Sequence, residues 1–239
     1  MEYLVIAIIA VIAYLLGSIN TSIIVSKIKG TDIREHGSGN AGLTNTLRTF
    51  GKGAALIVLI GDLLKGVIAI LLAKIVMNKF AANEILKMNM SDVSQLDIGL
   101  MIKLANIKLL AIQISGIAVV LGHIFPVFYK FKGGKGVLTS AVVILMVNWK
   151  VGLICLAIFI IIVAVTKYVS LGSIMAALTA PAIILGSHRI PWIGDIIEYL
   201  PFALVLAVLI IAKHHGNIKR LLVGEERRLS FGSKKKEEN

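Results

Sequence analysis

Residues 54–77 read AALIVLIGDLLKGVIAILLAKIVM, a stretch whose only charged residues are Asp62, Lys65 and Lys74. A helix on the surface of a soluble domain carries a polar face, and one that is apolar all round is either buried or in lipid. A bilayer core needs roughly 20 predominantly apolar residues to cross, and this run has the length. Working outward, similar apolar runs lie at about 3–25, 107–127, 134–148, 150–167, 170–187 and 197–213. The whole chain of 239 residues is 57% hydrophobic and 16% charged, with a mean hydropathy of +0.91. Soluble domains carry about 45–50% apolar and about 25% charged residues. The expectation is an all-α fold, a polytopic bundle of seven membrane-spanning helices.

Local signals divide the runs. The boundary between the fourth and fifth falls at "NWK" (Asn148 to Lys150), read as a hairpin. Pro201 stands near the start of the last run, where a helix tolerates proline best. Pro181 falls inside the sixth, where neighbouring helices can compensate the lost hydrogen bond. Residues 1–19 lack the basic start and small-residue cleavage site of a signal peptide and read as a retained first span. The longer connection at 78–106 contains Asp92 three residues before Gln95, a helix start, with Leu96, Leu100 and Leu104 on one face; an interfacial helix is expected there. Cys155, the single cysteine, sits in an apolar run and reads as a small buried hydrophobe. Asp62 and Lys65, one turn apart and costly to bury singly, are expected to pair and stabilise the bundle.

Charge sets the orientation. Placing the basic tail (Lys213, Lys219, Arg220, Arg227, Arg228, Lys234, Lys235, Lys236) in the cytoplasm puts the N-terminus of a seven-span chain outside. Lys27, Lys29, Arg34, Arg48, Lys52, Lys130, Lys132, Lys135 and Lys167 then also face inward, seventeen of the 25 Lys and Arg residues in all. That asymmetry is the one topology requires. The net charge of +12 is thereby accounted for by topology and anionic lipid, and no base-reading motif points to nucleic acid.

Three polar clusters fall on that inner side. In "EHGSGNAGLTNTLRTFGKG" (35–53), Gly37, Ser38, Gly39, Asn40 and Gly42 precede Thr44, Asn45 and Arg48. Glycines at this density let backbone N–H groups face an anion, and the fork of Arg48 suits phosphate. In "GHIFPVFYKFKGGKGVLTS" (122–140), Gly133, Gly134 and Gly136 flank Lys135 ahead of an apolar helix, placing an ammonium and free N–H groups at a helix start. It is not a nucleotide-binding P-loop: Tyr129 and Gly136 stand where that motif needs Gly and Ser or Thr. In "KHHGNIKRLLVGEE" (213–226), His214, Asn217 and Arg220 lie near one helical face and suit oxyanion or phosphate handling. Singly, each cluster also fits a plainer role as a tight turn or membrane-exit anchor; jointly they describe a site for one or two phosphates. The histidines show no metal-ligand spacing, so no metal or cofactor is expected. A transporter or flippase of a phosphorylated metabolite is the alternative. It requires polar groups continuing to the far side, and beyond Asp62, Lys65 and Gln113 the spans hold few.

Together, "GSGNAGLTNTLR", "GHIFPVFYKFKGGKG" and "HHGNIKRLLVGEE", in this order and with "YVSLGSIMAAL" (168–178) between the last two, resemble the PlsY family of bacterial integral-membrane glycerol-3-phosphate acyltransferases. The resemblance covers the chain to about Glu226, implying one domain over 1–226 and a charged tail over 227–239. It implies acyl transfer from acyl-phosphate to the 1-hydroxyl of glycerol-3-phosphate, giving lysophosphatidic acid and phosphate. The implied location is the bacterial plasma membrane, with the site facing the cytoplasm. Carried onto these motifs, Ser38, Asn40, His214 and Asn217 would serve the reaction. Gly37, Gly39, Thr44, Asn45, Arg48, His123, Gly133, Gly134, Lys135, Gly136, Ser173 and Arg220 would hold the substrates.

Overall fold

The computed structural model describes residues 1–86 and 98–229. Their regular structure is helical throughout: α1 (Glu2–Ser18), α2 (Thr21–Ile28), α3 (Leu43–Leu86), α4 (Ile98–Ile124), α5 (Val137–Val147), α6 (Trp149–Thr166), α7 (Val169–Leu185), α8 (Leu200–Lys213) and α9 (His215–Leu222).

Several boundaries differ from the expected runs, each for a local reason. The first run breaks after Ser18 because Ile19 and Asn20 are extended, and the Asn20 amide caps α2 by accepting the Ile23 N–H. The second begins at Leu43 rather than 54, so Thr44, Asn45 and Arg48 are helical; Gly51, at φ 81°, bends the helix where a loop was expected. The fourth starts only at Val137, because Gly136 before it is left-handed at φ 78°. Asn148 separates α5 from α6 and caps α6 by accepting the Val151 N–H at 3.2 Å. Pro181 lies inside α7, and Pro201 occupies the first turn of α8. In the 78–106 connection, α3 continues to Leu86 and α4 runs unbroken from Ile98, so Leu100 and Leu104 belong to the span itself. Asp92, Gln95 and Leu96 lie outside the described residues, as do residues 230–239 of the tail.

Among the described residues, four helical stretches are long and apolar enough to cross a membrane: Glu2–Ile28, Leu43–Leu86, Ile98–Tyr129 and Trp149–Thr166. α8 and α9 form a further pair bent by 60°, and α5 and α7 are apolar but shorter. The interior is built from Ile6, Ile9, Ile70, Met77, Val119, Val120 and Leu206. The outer surface is equally apolar, with Leu4, Val11, Leu56, Ile60, Ile160 and Ile161 exposed. Side chains hydrophobic both inward and outward belong to a bundle solvated by lipid. α1 and α4 approach closely because Gly17 lies against the Val119 carbonyl and Gly122 against the Tyr14 carbonyl, where a Cβ would collide. At the other end of the chain, the start of the expected charged tail lies on the bundle: the Leu229 N–H donates to the Lys167 carbonyl at 2.7 Å.

Candidate active site

α3, α5 and α7 begin, and α8 ends, around one cavity of about 260 Å³. Leu43, Thr44 and Asn45 of α3, Val137 and Leu138 of α5, and Val169 and Ser170 of α7 all line it. The first N–H groups of a helix lack intrahelical partners and carry the positive end of its dipole, so three helix starts bias this end of the cavity toward anions. Arg48, Lys135 and Arg220 line the same end. Ala141, Ile144, Cys155, Leu156, Phe159 and Ile210 form an apolar slot between α5, α6, α7 and α8, and Asp62, His123, Ser140 and Ser173 are further polar members of the wall. Charged at one end and apolar at the other, the cavity is shaped for an amphiphile.

Glu226 organises the charged end. Its Oε1 accepts from Asn217 Nδ2 at 2.6 Å and Ser170 Oγ at 2.8 Å, and its Oε2 from Arg220 Nε at 2.8 Å. With its amide nitrogen engaged by Glu226, Asn217 presents Oδ1, which accepts from Lys135 Nζ. Burial raises the Glu226 carboxyl, but the hydrogen bonds from Asn217, Ser170 and Arg220 outweigh it and hold the group below its ordinary value. Lys135 is pushed down to about 8, chiefly by burial; Glu226 opposes this and Arg220, Arg48 and Lys213 add to it. His214 is buried at the bend between α8 and α9, and its Nδ1 lies 2.7 Å from the Ile210 carbonyl. A carbonyl only accepts, so Nδ1 carries the proton and Nε2 the lone pair. Burial first, then Lys135, lowers His214 to about 4, partly offset by the Ile210 bond and Glu226. The imidazole is therefore neutral at physiological pH.

Not every residue singled out from the sequence lines the cavity. Ser38, Asn40, Thr44, Asn45, Arg48, His123, Lys135, Gly136, Ser173, His214, Asn217 and Arg220 do; Gly37, Gly39, Gly133 and Gly134 do not. Three of the N–H groups expected to be free are in use: Gly39 donates to His36, Gly133 to Ile124 and Gly134 to His123 carbonyls. These glycines shape the loops. Gly37 and Gly39 take φ of 58° and 71°, and Gly134 packs against the His123 ring where a side chain would not fit. Asn45 is a loop clamp as well as a wall: Nδ2 donates to the Ile33 and His36 carbonyls, and Oδ1 accepts the Ser38 N–H at 2.9 Å. Arg48 donates to the Arg227 carbonyl at 3.3 Å, bringing the C-terminal segment to the cavity mouth.

Sequence reasoning missed Glu226, Ser170 and Ser140. Glu226 stands inside the third motif, but only the fold reveals that it gathers three donors. Ser140 lines the cavity one turn into α5, 2% exposed, and its hydroxyl has no hydrogen-bond partner among the described residues; no local pattern marks such a group.

Residues 7–224 match the family model described as glycerol-3-phosphate acyltransferase. The chain is 45% identical over 231 residues to the glycerol-3-phosphate acyltransferase of Clostridioides difficile, covering 95% of this chain and 96% of that one. It superposes on the crystal structure of PlsY, an integral membrane glycerol 3-phosphate acyltransferase, in its glycerol 3-phosphate form. That match has a TM-score of 0.72 and 35% identity, over 94% of this chain and 96% of the other. The lysophosphatidic acid form gives 0.70 and 34%, over 95% and 96%. With a family model spanning nearly its whole length and relatives matched end to end, this chain belongs to the glycerol-3-phosphate acyltransferase family.

Proposed function

We propose that the protein transfers a fatty acyl group from acyl-phosphate to the 1-hydroxyl of glycerol-3-phosphate, releasing phosphate and lysophosphatidic acid. The observation that carries this reading is the cavity's polarity. Arg48, Lys135 and three helix starts stand at one end, and an apolar slot at the other. The phosphates of both substrates are matched by the first, and the acyl chain by the second. A transport path needs polar groups continuing to the far side of the membrane, and beyond Asp62, Lys65 and Gln113 the spans hold few.

In this mechanism the glycerol oxygen attacks the acyl carbonyl carbon, the bond from that carbon to the phosphate oxygen breaks, and phosphate leaves. Ser38 and Asn40 stabilise the developing oxyanion. His214, through its Nε2 lone pair, and Asn217 orient the reacting groups. A phosphate oxygen, with a second pKa of about 6, is a better proton acceptor than an imidazole lowered to about 4, so the hydroxyl proton passes to substrate phosphate. Acyl-phosphate is already activated, and no acyl-enzyme forms. The test is purified protein incubated with palmitoyl-phosphate and glycerol-3-phosphate. Phosphate release that depends on glycerol-3-phosphate is the expected result; its absence overturns the reading.

The same reading has the site face the cytoplasm at a bacterial plasma membrane, in a single domain of seven spans with the N-terminus outside. Supporting this, the ends of α4 and α8 and the starts of α3, α5 and α7 share one side, as alternating passes require. The described basic residues assigned inward, among them Arg48, Lys135, Lys167 and Lys213, lie at or near those helix ends. A cysteine replacing exposed Glu35 should be labelled from the cytoplasm, and one replacing Asp195, between α7 and α8, from outside. Labelling of both from one side would refute the seven-pass arrangement.

Ser140 makes a separable prediction. An unpaired buried hydroxyl costs stability, so Ser140→Ala should leave the melting temperature unchanged or slightly higher. If the hydroxyl serves substrate, the same change lowers kcat/KM by about 3–10-fold, the worth of a neutral hydrogen bond. Wild-type kinetics would remove Ser140 from the site.

A further inference from the structure

The Asp62–Lys65 pair, expected from the sequence as a bundle-stabilising contact, reaches further than its own helix. Lys65 Nζ lies 2.8 Å from Asp62 Oδ1 and 2.7 Å from His123 Nδ1, on α4. It also approaches the Gly17 and Ile19 carbonyls, each at 3.4 Å, at the C-terminal end of α1. All three side chains are buried. Asp62 and His123 line the reaction cavity, whereas Lys65 does not.

The donor inventory settles the histidine. An ammonium beside a carboxylate has three N–H donors and no acceptor, so at 2.7 Å His123 Nδ1 must supply a lone pair. A neutral imidazole then carries its single proton on Nε2. That Nε2 edge is the one against which Gly134 packs, in the glycine loop that leads to Lys135. The Asp62 oxygen lies 3.7 Å from Nδ1, beyond hydrogen-bond reach, so it does not compete for a proton there.

We infer that Lys65 is a positioning residue for the reaction: it locks His123 in the Nε2–H form and thereby fixes an uncharged N–H donor for a substrate oxygen in the cavity. This rests on the acyl-transfer reading above. A residue serving only the bundle would contribute through charge balance, and removing Asp62 and Lys65 together would then cost nothing in catalysis.

Two measurements separate these roles. Lys65→Met alone strands a buried carboxylate and should lower stability and activity together. Asp62→Leu/Lys65→Met removes both charges and should recover the melting temperature. Its kcat/KM should remain about 10–100-fold down, the range found when the hydrogen-bond partner that orients a metal-bound histidine is removed. Wild-type kinetics in the double variant would overturn the inference. The second measurement reads the tautomer directly, by ¹⁵N spectra of histidine-labelled protein in micelles with His123→Asn as the assignment control. The wild type should show an unprotonated Nδ1 and a protonated Nε2 at His123. A proton on Nδ1 overturns the inference, and this holds even if the double variant fails to fold. Absence of glycerol-3-phosphate-dependent phosphate release by the wild type would instead sink the acyl-transfer reading, leaving the tautomer result to stand on its own.

Discussion

Ser38→Ala should lower kcat by about 10²–10³, the typical effect of deleting one oxyanion donor, and His214→Ala by about 10² or more through lost positioning of the reacting groups, while the protein remains folded. Ser38 is surface-exposed at the cavity and held through its backbone N–H by Asn45, so loss of its hydroxyl leaves the loop clamp intact. His214 is buried and contributes one hydrogen bond to Ile210, a net worth of about 1 kcal/mol, well short of unfolding the chain. The loss should appear in kcat, because the proposed mechanism has both groups act where charge and geometry change during attack. Trapping an acyl group on Ser38 would refute direct attack. Near-normal kcat in both variants would take this cluster out of the chemistry.

The second large effect concerns binding. Arg48→Ala and Lys135→Ala should each raise KM for the phosphate-bearing substrates by about 10–150-fold, equivalent to a charge-assisted hydrogen bond of about 1.5–3 kcal/mol. Because burial pushes Lys135 down to about 8, its sign with pH is specific. Below that value the ammonium is charged and holds phosphate; above it the neutral amine loses the charge assistance, and kcat/KM falls. Lys135→Arg, whose guanidinium keeps its proton, should abolish this alkaline limb even if its KM is altered. A limb unchanged in Lys135→Arg would assign it to another group, and unchanged KM in both alanine variants would remove these cations from the phosphate site.

Much of the architecture was legible along the chain because a bilayer imposes a one-dimensional constraint. Runs of apolar residues, punctuated by Asn148 and by prolines at tolerated positions, mark helices whatever they later touch. The candidate site was legible in its residue types for a related reason: Arg48, Lys135 and His214 stand beside helix ends, and helix ends are where an apolar bundle can meet a charged ligand. What could not be read was how polar atoms are spent. The glycine-loop N–H groups looked free, yet Gly133 and Gly134 donate back to Ile124 and His123, since a buried loop must satisfy its own backbone. Asn45 looked like a ligand and spends its amide holding residues 33–38. Glu226 gathers Ser170, fifty-six positions away, and Lys65 reaches His123 across fifty-eight. Composition and local spacing determined the membrane helices and the chemistry available at their ends. Helix packing alone decided which of those groups meet, because such distant partners share no sequence pattern and come together only when α3, α4, α5, α7 and α9 are set side by side.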